Sequence, residues 1–194
     1  MAQASTAVEH GASGLGARVG SDKRLRQRRP MFLATGLSYL LDVAILTLYH
    51  FAGTTDIRVA ASYAVAGAAW TGFTFALSEL RINDRFRDHY LTVPQSVSSI
   101  AIQLGAIYLA PEVGFYFVSV IFIVMGFGAL RMSWRQAALV WTFAAAGLTW
   151  LFVCSGQPIA MPMTSPAERA LALLCFVTAL GRCAFTGLYG SSLR

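Results

Sequence analysis

The chain has 194 residues, of which 56% are hydrophobic and only 12% carry charge. A water-soluble domain carries about a quarter charged residues, so the composition excludes an ordinary soluble globule and points to an all-α integral membrane protein. The formal net charge of +6 does not imply nucleic acid: six of the 15 basic residues (Arg18, Lys23, Arg24, Arg26, Arg28, Arg29) crowd ahead of an apolar block. That is the pattern of the positive-inside rule, and no aromatic-interleaved basic patch competes with it.

Taken in order, residues 1–30 read as a disordered, basic cytoplasmic tail. Met1 to Gly20 is rich in Ala, Ser and Gly and has too few large apolar residues to form a core. The GASGLG run at Gly11–Gly16 has no strand before it, so it is not read as a nucleotide loop. The collar SDKRLRQRRP precedes an apolar block too long for a cleaved signal peptide, which predicts a retained first helix.

Six apolar blocks follow: Met31–Phe51, Val59–Leu77, Val93–Leu109, Val113–Leu130, Ala137–Val153 and Ala170–Leu188. Each is 17 to 21 residues long, about 25–32 Å as helix, close to the roughly 30 Å of a bilayer core. The links alternate in charge. With the N-terminus inside, twelve Lys or Arg residues fall on the cytoplasmic side and only Arg58 and Arg169 outside. This predicts a six-transmembrane-helix bundle over residues 31–188 with both termini cytoplasmic. Trp134, Trp150, Tyr90, Tyr108 and Tyr189 fall near block ends, where amphipathic rings favour the interface.

In the second block, Ala60, Ala64, Ala68, Gly72 and Ala76 recur every four residues. Small residues at that spacing allow close backbone approach and predict a packing seam, within the bundle or across a homodimer. Two charges lie at depth, Asp42 in the first block and Arg182 in the sixth. Three readings are open for them. They pair, they are satisfied separately by water, hydroxyls or snorkelling, or they serve a proton or substrate path. Gln103 and Glu112 read as locally satisfied. Cys154, Cys175 and Cys183 read as packing residues, and His10, His50 and His89 form no zinc-like cluster with them. No metal, cofactor or nucleic-acid partner is expected. No nucleophile–base pair, phosphate loop or carboxylate pair is recognisable, so no active site is expected on this chain.

The polar island between the second and third blocks, ELRINDRFRDHYLTVPQ, packs six charged residues into positions 79–88. Its arginines place it on the cytoplasmic face. Pro94 fits the first turn of the third helix, where its missing N–H costs little, and Thr92 is expected to cap that helix. For Arg85, Arg87 and Asp88 the choices are a solvated basic loop, a docking platform for a cytoplasmic output end, or a ligand site.

This island resembles a segment of the six-span membrane regions at the N-terminus of bacterial GGDEF diguanylate cyclases, approximately N-x-R-F-x-D-P-S-L-T-x-P-Q. Asn83, Arg85, Phe86, Asp88, Leu91, Thr92, Pro94 and Gln95 stand at the matching places. His89 and Tyr90 replace the usual Pro-Ser. The resemblance implies a membrane-anchoring, sensory input domain for cyclic di-GMP signalling, in which residues 189–194 begin a linker to a GGDEF domain in cis. No GGDEF signature occurs in the 194 residues. Two alternatives from other classes are a small transporter or channel using Asp42 and Arg182, and a structural membrane protein assembling through the Ala60–Ala76 seam.

Overall fold

In the computed structural model, residues 31–80, 82 and 91–192 are described, with backbone alone for 186–192. Among them the chain is all-helical. The helices are α1 (Met31–Phe51), α2 (Ile57–Glu79), α3 (Thr92–Leu109), α4 (Gly114–Ala129), α5 (Trp134–Thr149) and α6 (Pro166–Ser192). A 3-10 turn, Pro111–Val113, leads into α4, and a π turn, Trp150–Cys154, closes α5. The expected blocks and the helices coincide to within a few residues.

Local chemistry sets most of the ends. Gly53, at φ 79°, turns the chain out of α1, a left-handed conformation that costs glycine little. Asp56 caps α2 by accepting from the Arg58 N–H at 2.8 Å. Ser133 and Gln136 form a reciprocal capping box at α5. At α6, Ser165 Oγ accepts from the Glu168 N–H at 3.1 Å while Glu168 Oε2 accepts from the Ser165 N–H at 3.0 Å. Pro166 lies between them as the first helical residue, where proline is preorganised.

The start of α3 differs from expectation. Leu91 occupies the cap position, at φ 49° and ψ 40°, and offers no side-chain cap bond; Thr92 is already helical. Pro94 stands third in the helix and Gln95 N–H makes the first bond, to Leu91 O at 2.9 Å. A missing N–H is tolerated anywhere in the first turn, so Pro94 marks the turn without specifying its cap.

The helices alternate in direction, so their ends gather in two layers. At one end Thr54 donates to Glu168 Oε1 at 3.1 Å, and Ala160 N–H donates to Pro111 O at 2.9 Å. At the other, Arg131 Nη1 reaches Met31 Sδ at 3.0 Å, and Gly128 lies against Ser96. Between the layers the core is built on Ile45, Leu46 and Tyr49 of α1, Ile100 and Ile107 of α3, and Tyr116, Phe117 and Val120 of α4. Val140 and Ala144 of α5 and Cys175 of α6 close it.

The small-residue column of α2 is split. The face buried in the bundle is Ala60, Tyr63, Gly67, Thr74 and Ser78, whereas Ala64, Ala68 and Gly72 line a groove beside Gly36, Leu40 and Val43 of α1, which Gly67 and Tyr39 also border. Ala76 is exposed. The reason is geometric: a four-residue step overshoots one helical turn by about 40°, so the column drifts about 160° from Ala60 to Ala76. The residue that permits close approach to α1 is Gly67, packed under the Tyr39 ring.

Among the described residues, three units are long and apolar enough to cross a membrane: Met31–Phe51, Pro111–Ala129 and Trp134–Cys154. Alanine, glycine and hydroxyl residues lower the apolarity of α2, and Ser96, Ser98, Ser99 and Gln103 that of α3, while Glu168, Arg169 and Arg182 put three charges into the described part of α6.

Glu168 also ties the first layer together. Hydrogen bonds from the Thr164 hydroxyl, the Ser165 N–H and the Thr54 hydroxyl hold its carboxyl well below the usual range, at about 2. A depressed carboxyl stabilises the fold above its ordinary value of 4.5 and loses that contribution as pH falls towards about 2. In a thermal-unfolding series over that window, the detergent-solubilised protein is expected to lose stability more steeply than Glu168→Gln. Parallel curves would remove Glu168 as the acid-sensitive group.

Candidate functional site

Asp42 lies in the middle of α1, 1% exposed, and an unpaired carboxylate there would be costly in a low-dielectric interior. Both of its oxygens are instead engaged. Oδ2 accepts from Tyr63 Oη of α2 at 2.8 Å, Oδ1 accepts from Tyr116 Oη of α4 at 2.5 Å, and Arg182 Nη2 of α6 donates to Oδ1. The same Nη2 donates to Ser38 O at 3.2 Å, one turn before Asp42. Gln103 of α3 extends the network by donating from Nε2 to Tyr63 Oη at 2.7 Å. Four helices therefore meet at one carboxylate, and a fifth, α3, joins them through Tyr63.

Aromatic packing positions the two phenols. The Tyr63 ring lies between Tyr39 and Phe117, with centroid separations of 5.6 and 5.4 Å, and Phe117 also contacts Tyr116 at 5.4 Å. Tyr39 Oη donates to Ser99 Oγ at 3.4 Å, linking α1 to α3. Rings at these separations add to their area burial and restrict where the hydroxyls can point.

The network dictates the orientation of the Gln103 amide. Tyr63 spends its hydroxyl hydrogen on Asp42 and can only accept from Gln103, so the amide presents its NH2 to Tyr63. Its Oε1 is left buried with no partner among the described residues. Beside it opens a cavity of about 460 Å³ bounded by α1, α2, α3, α4 and α6.

Chemically, the centre is a fastener. A carboxylate accepting from a guanidinium and two phenols has little capacity left to act as a general base, and the pair brings no net charge. The reading in which Asp42 and Arg182 are satisfied separately is thus replaced by direct pairing. Gln103, expected to be satisfied locally, instead joins the shared network. Tyr63 and Tyr116 were not singled out from sequence, because tyrosines in apolar blocks are common and nothing local marks them as partners of residue 42.

Of the island residues, Asn83, Arg85, Phe86, Arg87 and Asp88 lie outside the described residues. Leu91 holds the cap position before α3, Thr92 and Gln95 line the cavity, and Pro94 faces outward. Among the described residues no cluster of His, Cys, Asp and Glu could hold a metal ion. Cys175 lies against Tyr49 Oη at 3.7 Å, while Cys154 and Cys183 are exposed and free. No family model, curated protein or solved structure matches the chain.

Proposed function

We propose that the chain is a six-span input module of the bacterial cytoplasmic membrane that passes a conformational signal through α6 to a cytoplasmic output. Its termini both lie in the cytoplasm. The observation that carries this reading is the attachment of α6: Arg182 fastens it to the Asp42 centre, where α1, α2 and α4 also converge. A change at that centre has differential contacts available with which to move α6, as a two-state switch requires. The island's likeness to the membrane regions of diguanylate cyclases supports an output in cyclic di-GMP signalling, with a GGDEF domain in cis and a homodimer as the working assembly.

Six spans are supported by the outer surface of the less apolar helices. α2 exposes Val65, Phe73 and Phe75, and α6 exposes Leu173, Phe176, Val177, Leu180 and Phe185, side chains suited to lipid. Alkaline phosphatase fused after Gly53, Glu112 or Gln157 should be active, and green fluorescent protein fused after Arg131 or Arg194 should fluoresce. A reversed signal at any of these sites would break the six-span topology.

The signalling role is tested by fusing the chain through Arg194 to a GGDEF catalytic domain and measuring cyclic di-GMP in cells. Tyr63→Phe and Arg182→Lys, each loosening the centre without removing a helix contact, should change output several-fold at matched membrane levels. Unchanged output from both would end the α6 relay.

A further inference from the structure

The cavity beside the polar centre has a volume of about 460 Å³, within the span of about 300–1,000 Å³ found for small-molecule sites. It runs from Met31 and Arg131 at the helix ends inward to Asp42, Gln103 and Arg182. Its base carries a neutralised ion pair, so a bare ion entering there would lose hydration without gaining a counter-charge.

The wall is mainly apolar, with hydroxyl and amide groups set into it. Thr35 donates its hydroxyl hydrogen to Met31 O at 3.0 Å, Thr74 to Trp70 O at 3.0 Å and Thr178 to Cys175 O at 2.9 Å. Each hydroxyl has spent its hydrogen on its own helix and retains lone pairs only. Gln103, 2% exposed, adds an amide oxygen with no partner among the described residues. A buried acceptor in that condition costs free energy until a donor reaches it.

We propose that the cavity binds a neutral amphiphile, an aliphatic body carrying one hydroxyl group, with that hydroxyl donating to Gln103 Oε1. The apolar wall takes the chain, Gln103 Oε1 accepts from a donor and gains nothing from an ether, and the paired Asp42 and Arg182 leave no net charge at the base to hold a charged headgroup. Occupancy places the ligand against the network that holds α6, so the proposal deepens the input-module reading. It is nevertheless tested by binding alone, so failure of the reporter fusion leaves it standing, and its own failure leaves the α6 relay standing.

The test uses the full chain in nanodiscs with a diazirine-bearing analogue of decanol, photolysis, and mapping of adducts by mass spectrometry. Adducts are expected on cavity residues of α1, α3 and α4, with protection by unlabelled decanol. Decyl methyl ether, which has no donor, should protect about tenfold less well, the fold-change expected for one hydrogen bond. Gln103→Leu should weaken protection by decanol by about the same factor. Because that change also cuts the bond to Tyr63, Ala34→Phe serves as a second variant: it fills the cavity from α1 and should abolish cavity labelling. Equal protection by alcohol and ether, adducts confined to outward residues such as Leu33, Phe122 and Leu173, or undiminished labelling of Ala34→Phe would each overturn the proposal.

Discussion

Asp42→Ala is expected to destabilise the protein by about 3–5 kcal/mol, the cost of leaving a buried cation without its partner. Arg182 is only 13% exposed at its side chain, and its contact with Ser38 O cannot replace a carboxylate. The phenols of Tyr63 and Tyr116 lose their acceptor at the same time, which adds desolvated donors to the loss. Thermal unfolding of the detergent-solubilised protein and its level in membranes would both fall sharply. The double variant Asp42→Leu with Arg182→Met should recover the part of the loss due to the unpaired guanidinium, since an apolar pair often replaces a buried ion pair at little cost, while the Tyr63 and Tyr116 hydroxyls stay without their acceptor. Coupling between the two positions should reach at least about 1 kcal/mol in the cycle. Additive losses, or a single variant as stable as the parent, would show that the pair does not hold the bundle.

The second large effect is expected at Gly67. A Cβ there would stand 2.6 and 2.7 Å from Cδ1 and Cγ of Tyr39 and 3.1 Å from its Cβ. Rotating the ring away relieves the first two contacts and leaves the third, so α1 and α2 must separate. The ring would also give up its packing on Tyr63 and its bond to Ser99. Gly67→Ala should therefore cost about 1–3 kcal/mol, as overpacking does. Gly72→Ala, five residues on in the same helix, meets nothing within 4 Å and should be neutral or stabilising through helix propensity. Equal melting temperatures for the two variants would refute the close approach at Gly67. The comparison is internal, so detergent and expression effects cancel.

The two glycines show how far composition reaches. Read along the chain, Gly72 belongs to a regular column of small residues and Gly67 stands outside it. In three dimensions Gly67 is the contact and Gly72 faces the groove, because a helix turns by 3.6 residues and a step of four drifts off any fixed neighbour. The caps tell the opposite story. Ser133 with Gln136 and Ser165 with Glu168 are sequence signatures of helix starts that require no tertiary knowledge. They could have placed the starts of α5 and α6 several residues earlier than the apolar blocks do.

Helix number, approximate length and the all-α class were determined by the sequence alone, because length and apolarity are local properties that an apolar environment rewards segment by segment. That Asp42 and Arg182 are both expensive to bury was equally legible. The identity of Asp42's partners was decided only by the tertiary structure. Tyr63, Tyr116 and Arg182 stand 21, 74 and 140 residues away, and their meeting depends on how each helix is rotated about its axis. That rotation is set by the packing of every neighbour at once, including Tyr39 on Gly67 and Phe117 between two tyrosines. No short stretch of sequence records it.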